Sequence, residues 1–197
     1  MSIKRLSGAG LTTPKSNKLW DQVTFQSGMF ALATVTLTNS TTASITFSGI
    51  PANYTHLQIR GVARSASTGG SMRIDFNGDA SGTLYSRHLL MGDGSSPSGS
   101  GANADSVTAA VGDFPVTSST SNVFSGYVTD ILDAFSTTKN KVVRSFSGYD
   151  ANGSGFIQIR SSMWRSQTAI TSIKLYEGSG SNFAANTTFA LYGIRSA

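Results

Sequence analysis

The feature of this sequence that most limits its fold is an alternation of apolar and polar residues, which begins near residue 28 and recurs along the chain. Ala33, Val35 and Leu37 alternate with threonines, and Leu57 and Ile59 alternate with polar residues. A period of two is typical of half-buried β-strands, so we expect the apolar side chains to face a core and the polar ones solvent. Roughly ten to eleven such runs, more than a minimal sandwich needs, predict an antiparallel two-sheet sandwich.

Composition supports an all-β fold and excludes several classes of protein. The chain is rich in Ser, Thr and Gly, and Glu177 is its one glutamate, whereas helical proteins use Glu, Lys, Ala and Leu. Its 197 residues suit one domain of ordinary size, which we place at 28–197. The absence of cysteine excludes disulfide bonds, cysteine-ligated zinc and a cysteine nucleophile.

Turn residues separate the predicted strands. Asn77-Gly78 and Asn152-Gly153 are typical of tight hairpin turns. The polar stretch 92–104 is expected to be a surface loop rather than a linker between two domains, because neither half of the chain has enough strands for a sandwich. Residues 130–135 fit either the start of a short helix or a strand followed by a turn.

The positive charge is concentrated at the start of the chain. The formal net charge is +5, and residues 1–20 hold four bases and no acid, so residues 21–197, with 11 bases and 10 acids, carry only +1. We predict that residues 1–27 form an extended arm that binds a neighbouring subunit, because its apolar residues are costly to leave in water. The alternative is an ordinary chain terminus without a partner. The candidate partner-binding residues are Lys4, Arg5, Lys15, Lys18, Leu19 and Trp20.

The body of the chain lacks the sequence signals of nucleic-acid binding and of membrane insertion. Its arginines are scattered among acids rather than gathered in one stripe, which argues against a nucleic-acid partner. No run approaches the ~18 apolar residues of a membrane helix, and the positive start is not followed by the apolar stretch of a signal peptide. We therefore expect a protein made in a cytoplasm, with no membrane partner.

Catalytic and metal motifs are also not evident, and we predict a protein that is not an enzyme and needs no cofactor. His56 and His88 lie in predicted strands, where a histidine is more often structural than catalytic. The segment from Asp75 to Asp79 begins like an oxygen-ligand calcium loop, but it lacks the later carboxylate, and a strand ending in an Asn-Gly turn explains it equally well. The tyrosines and Trp164 fit buried rings with wet polar tips better than sugar-stacking platforms.

Five stretches of the chain resemble a module of tailed bacteriophages, especially phages of cyanobacteria and other aquatic bacteria. Together they span most of residues 45–195. They are FSGIPANYTHLQIR at 47–60, DFNGD at 75–79 with YSRH at 85–88, GYDANGSG at 148–155, MWRSQTAITSI at 163–173 and NFAANTTFALYGI at 182–194.

This resemblance implies a virion structural protein with a jelly-roll-like sandwich, without supplying an active site. By analogy with such folds we expect a homo-oligomer, with a trimer favoured. The leading expectation is a capsid decoration (cement) protein whose arm lies across neighbouring virion subunits. The alternatives are a tail-associated fibre or adhesion protein that contacts host glycans and, from a different class, a polysaccharide hydrolase, which would need a convergent pair of acids.

Overall fold

The computed structural model describes the backbone of residues 17–18, 24–25, 28–80, 83–106 and 109–195, and the side chains of 28–80, 83–103 and 109–195. All of the regular structure in these ranges is β-strand, which confirms the all-β prediction. The strands are β1 (Asn17–Lys18), β2 (Thr24–Phe25), β3 (Met29–Thr36), β4 (Ser44–Ser48), β5 (His56–Ala63), β6 (Ser71–Phe76), β7 (Tyr85–Gly92), β8 (Pro97–Ser106), β9 (Ala109–Asp113), β10 (Ser125–Leu132), β11 (Lys141–Asp150), β12 (Gly155–Trp164), β13 (Ser172–Glu177) and β14 (Thr188–Ile194).

Two antiparallel sheets contain twelve of these strands. The large sheet has the order β3-β14-β5-β10-β11-β12-β7-β8, and the small sheet has the order β4-β13-β6-β9. When the hairpins β7–β8 and β11–β12 are left out, four strands remain in each sheet. Their order is β3-β14-β5-β10 in the large sheet and β4-β13-β6-β9 in the small sheet, so the first and last of these eight strands are neighbours, and so are the second and seventh. This is the connectivity of a jelly roll, and the two hairpins widen one of its sheets.

The described part of the N-terminal segment consists of two short strands. β1 pairs antiparallel with β2, so the chain reverses direction between residues 18 and 24. The predicted arm, residues 1–27, otherwise lies outside the described residues, and so do the side chains of the predicted partner-binding residues Lys4, Arg5, Lys15, Lys18, Leu19 and Trp20.

Both Asn-Gly pairs form tight turns. Asn77 has φ 56° and Gly78 has φ 70°, and Asn152 and Gly153 have φ 60° and 101°. Two consecutive residues in the left-handed region favour Asn followed by Gly, because Gly has no Cβ and Asn tolerates this conformation. At the first turn the Asn77 Oδ1 also accepts hydrogen bonds from the backbone N–H groups of Thr171 and Ser172, at 2.8 and 3.1 Å.

The core lies between the sheets, and its aromatic residues bond their polar atoms internally. Trp164 stacks on Tyr85, with ring centroids 6.5 Å apart. The Tyr85 hydroxyl donates to the backbone oxygen of Asp79 at 3.0 Å, and the Trp164 indole N–H donates to the Asp79 carboxylate at 2.8 Å. Tyr85 and Trp164 are therefore core residues, as the sequence predicted, rather than a platform for sugars.

Two local predictions are settled by the strands. The stretch 92–104 is not a loop, because β8 pairs with β7 from Pro97 onwards and only residues 93–96 form the turn. Pro97, the first residue of an edge strand, occupies a position where its missing N–H is tolerated. Residues 130–135 are the end of β10 followed by a turn, in which Asp133 has φ 49°.

A partly buried network of carbonyl groups around Arg64 holds the long connection between β9 and β10. The guanidinium donates to the backbone oxygens of Val116, Ser119, Thr120 and Val123 at 2.7 to 2.9 Å. These bonds satisfy four carbonyl groups that have no strand partner, so one side chain fixes the shape of this connection.

Candidate functional site

Large apolar side chains are exposed on the outer face of the large sheet. Six of the described residues have large apolar side chains that are 36 to 59% exposed, and all six point away from the small sheet. They are Val62, Leu90, Val128, Phe146, Ile157 and Ile159. Single exposed apolar residues are ordinary, but a group gathered on one face marks a surface that another molecule covers.

Four of these residues form one continuous line across the sheet, which we call the apolar row. Val128 on β10 pairs with Phe146 on β11, Phe146 pairs with Ile159 on β12, and Ile159 pairs with Leu90 on β7. Directly paired residues on one face have Cβ atoms about 4.5–5.5 Å apart, so the four side chains are neighbours. The apolar row is therefore one surface about 15 Å long.

A groove of about 1060 Å³ lies beside the apolar row. Its floor includes Gly126 on β10 and Gly148 on β11, which pair with one another. Val62 on β5 pairs with Gly126, and Ile157 on β12 pairs with Gly148, so these four residues form a second line across the sheet beside the apolar row. A Cβ added to Gly126 would meet no atom within 4 Å, so the missing side chain leaves open space above the sheet. Val128, Phe146 and Ile157 line the groove.

Two turns close one end of the groove. They are the β7–β8 turn at Asp93 and Gly94 and the β11–β12 turn at 150–155. The rings of Tyr149 and Phe156 pack edge to face beside the second turn, with centroids 4.7 Å apart, on the inward side of β11 and β12 that they share with Ser147 and Gln158. The two turns therefore form the border of the groove at this end.

The charged residues of the groove are separated. Asp93 and Asp150, both exposed, lie at the end closed by the turns. The backbone N–H groups of Ser96 and Ser95 hold the pKa of Asp93 below its usual range, so its carboxylate is ionised at neutral pH. Arg60 lines another part of the groove and donates to the Gln58 side-chain oxygen at 2.8 Å.

The side of these same strands that faces the small sheet is unusually polar. The inward residues of β10, β11 and β12 are buried, although many of them are hydrophilic. They include Ser125, Thr129, Ser145, Ser147, Gln158, Arg160 and Ser162. The expectation that apolar residues face inward is therefore correct for Leu57 and Ile59 of β5 but wrong for much of β11 and β12.

Close packing of β9 explains this inversion. A Cβ on Gly112 would lie 2.4 Å from the Ser147 hydroxyl and 2.6 Å from the Tyr127 ring, so at this point the sheets leave no room for a larger side chain. Serines fill much of the space beside β9: Ser162 donates to the Ala110 oxygen at 3.0 Å, whereas the Ser147 hydroxyl has no hydrogen-bond partner. Arg160 pairs with Asp113, which satisfies a buried charge.

The histidines are not brought together with an acid pair or a nucleophile. His56 Nδ1 accepts the backbone N–H of Asp133 at 2.9 Å and helps to hold the turn after β10. His88 lies on the outer face of the large sheet, paired with Gly101. His56 is thus a hydrogen-bonded structural residue and His88 is an exposed surface residue.

Two side chains of the calcium-like segment accept hydrogen bonds from protein groups: the Asp79 carboxylate from the Trp164 indole N–H, and the Asn77 oxygen from the backbone N–H of Thr171. Asp75 differs, because one of its buried carboxylate oxygens has no hydrogen-bond partner and burial raises the pKa of this group. Within the described ranges no cluster of three His, Asp or Glu side chains could hold a metal ion. The same ranges contain no helix that is long and apolar enough to cross a membrane.

The groove and the apolar row are a candidate binding surface that sequence reasoning missed, because it assigned binding to residues 1–27. The sequence signal of this surface was the apolar side chains of Phe146, Ile157 and Ile159. The period of two alone assigned these three residues to the core. Searches of protein-family models, curated proteins and solved structures found no match to this chain.

Proposed function

We propose that this chain is a non-catalytic structural protein of a bacteriophage particle and that it decorates the capsid by binding neighbouring subunits. The observation that carries this proposal is the apolar row, which lies outward on strands whose inward side is polar. The fold does not use these side chains for its own core. A surface of this kind is suited to being covered by another protein chain.

The fold is well suited to a virion. A double-sheet sandwich without cysteine can be assembled in the reducing cytoplasm of the host and does not depend on disulfide bonds for stability. The phage-like stretches, such as 47–60 and 182–194, lie on strands of both sheets and in their connections. These features support a virion location, and they fit a homo-oligomer with a trimer favoured.

The separation of charge supports binding to several subunits at once. Residues 1–20 carry a charge of +4 and the rest of the chain carries +1. A molecule with a cationic segment and an apolar face can bind two neighbours. Once the first contact has formed, the second binds more tightly, because its partner is held nearby at a high effective concentration. Capsid decoration uses this kind of multivalent attachment.

Particles that lack this protein provide the test. The full chain should bind them, and a chain without residues 1–20 should bind at least tenfold more weakly, as measured by co-sedimentation. A matched variant in which Lys4, Arg5, Lys15 and Lys18 become Gln keeps the length of the segment and removes its charge, so it should bind with intermediate strength and lose the salt dependence. Undiminished binding by the shortened chain would contradict the proposal.

A tail-associated adhesion protein is the second candidate, and the polar part of the groove lining is the observation that favours it. Tyr192 lines the groove together with Arg60, Asp93 and Asp150, and sugars bind to combinations of rings and hydrogen-bonding groups. Antibody labelling of intact virions separates the candidates. Dense signal over the head supports decoration, and signal confined to the tail supports adhesion.

A further inference from the structure

We propose that the groove of one copy binds residues 1–16 of a neighbouring copy of this chain. This inference rests on the proposed function, because it assumes that the protein assembles with other subunits, and it names the receptor site for the cationic segment. Three observations carry it: the shape and lining of the groove, the position of its charges, and the place where the N-terminal segment leaves the body.

The shape of the groove favours a narrow occupant. Its end is walled by the β7–β8 and β11–β12 turns, and its floor includes Gly126 and Gly148. Two such concave faces placed against each other would leave unfilled space, so the same face of a second copy is a poor fit. An extended chain that lays side chains into the groove fits better.

The lining favours a peptide over a sugar chain. Val62, Val128 and Ile157 are aliphatic and offer no hydrogen bonds to hydroxyl groups, which would lose their water on binding. The groove reaches from β14 to β7, five strand spacings of about 4.8 Å, or about 24 Å. About seven extended residues cover that length.

The segment has matching chemistry. Ile3 and Leu6 are apolar, Lys4 and Arg5 lie between them, and residues 1–16 contain no acid. Asp93 and Asp150 are exposed at the closed end of the groove, where they can face such bases. A window such as 3–8 therefore offers apolar side chains to the aliphatic lining and cations to the acidic end.

The exit of the segment favours a neighbouring copy over the same copy. The chain enters the large sheet at Met29 on the edge strand β3, whereas the acidic end of the groove lies beside β11 and β7, four and six strand positions further along the sheet. These places are about 19 to 29 Å apart across the strands. A segment that joins one edge of a body and binds on the far side of the next makes a head-to-tail contact, which closes into rings such as trimers.

The absence of cysteine allows a direct test in the full-length protein. Leu6→Cys and Ile157→Cys are made in separate chains that carry different tags, and the two proteins are mixed under mild oxidation. We expect a disulfide-linked mixed dimer of about twice 20.6 kDa, with at least five times the yield obtained when Thr46→Cys replaces Ile157→Cys. Thr46 is the matched control, because it is exposed on β4 of the small sheet.

A second variant removes the groove without disturbing the fold. Gly126→Leu places a side chain in the open space above the floor. Added to the Ile157→Cys chain, it should lower the mixed-dimer yield at least fivefold and, in the full chain, shift sedimentation equilibrium towards the monomer. An unchanged melting temperature of the Gly126→Leu variant would show that the sandwich is still folded.

Three results would overturn the inference. The first is a yield no higher than with the Thr46→Cys control, and the second is a chain carrying both Leu6→Cys and Ile157→Cys that closes on itself without forming mixed dimers. The third is a face-to-face dimer formed by Ile157→Cys alone. Loss of host-polysaccharide binding by Gly126→Leu, with crosslinking at the control level, would assign the groove to a glycan. Failure of particle binding with efficient crosslinking would reject the decoration role and keep the inference.

Discussion

Replacing Arg64 should reveal how much of this fold depends on a single guanidinium. The change Arg64→Met keeps the aliphatic stem and removes four hydrogen bonds to the carbonyls of 116–123. Hydrogen bonds from a charged group contribute about 1.5–3 kcal/mol each where the freed acceptor stays buried. This connection is partly exposed and its carbonyls can regain water, so we expect a total loss of about 3 kcal/mol.

The melting temperature converts this loss into a measurable shift. For a domain of this size, each 1 kcal/mol corresponds to about 2–4 °C, which gives a decrease of about 6–12 °C. Arg64→Lys should fall between the wild type and Arg64→Met, since an ammonium can reach some of the carbonyls but lacks the planar fork. Amide hydrogen exchange should increase in 116–123 and much less in β11.

The control is an arginine whose side chain lies at the surface. Arg165 is exposed, and Arg165→Met should change the free energy of unfolding by no more than about 0.5 kcal/mol. Urea unfolding monitored by tryptophan fluorescence measures all variants under one condition. Equal stability of Arg64→Met and Arg165→Met would refute the claim that this guanidinium holds the connection.

Three further changes test the packing, the buried carboxyl and the outer face. Gly112→Ala forces a methyl group against Ser147 and should lower the free energy of unfolding by about 1–3 kcal/mol in urea titrations. Burial raises the pKa of Asp75, so the wild type loses stability as pH rises from below 3.8 through the folded-state pKa. Asp75→Asn should therefore gain stability over the wild type in melting curves at pH 7, and this gain should disappear near pH 3. Phe146→Thr should melt within about 2 °C of the wild type, because its ring is 49% exposed, yet it should weaken self-association in sedimentation equilibrium.

Most of the sandwich could be predicted because period-two patterning and turn chemistry are local. Leu57 and Ile59 face the core as their alternation indicates, and both Asn-Gly pairs make the turns that their backbone freedom favours. β8 could not be found in this way. Its ten residues, Pro97–Ser106, include no large apolar side chain, and the side chains described in it, at 97–103, are mostly exposed.

The groove could not be predicted because a period of two does not say which face is buried. In β12 the alternation of Ile157 and Ile159 with Gln158 and Arg160 is regular, and either set could point inward. The choice is made by β9, whose Gly112 comes too close to the large sheet for bulky side chains. That contact joins residues far apart in sequence, and no local window contains it.

In β11 and β12 many inward residues are polar and several outward residues are apolar. The packing of the fold therefore accounts for the inward residues but not for the outward ones. The inward polar layer has its own hydrogen bonds and ion pair, as between Thr129 and Ser145 at 2.8 Å and between Arg160 and Asp113. The outward row contributes little to that layer, so threonine in place of Phe146 would serve the strand equally well. An apolar row in register across four strands is therefore not a by-product of folding, and its presence is best explained by a partner chain that covers it.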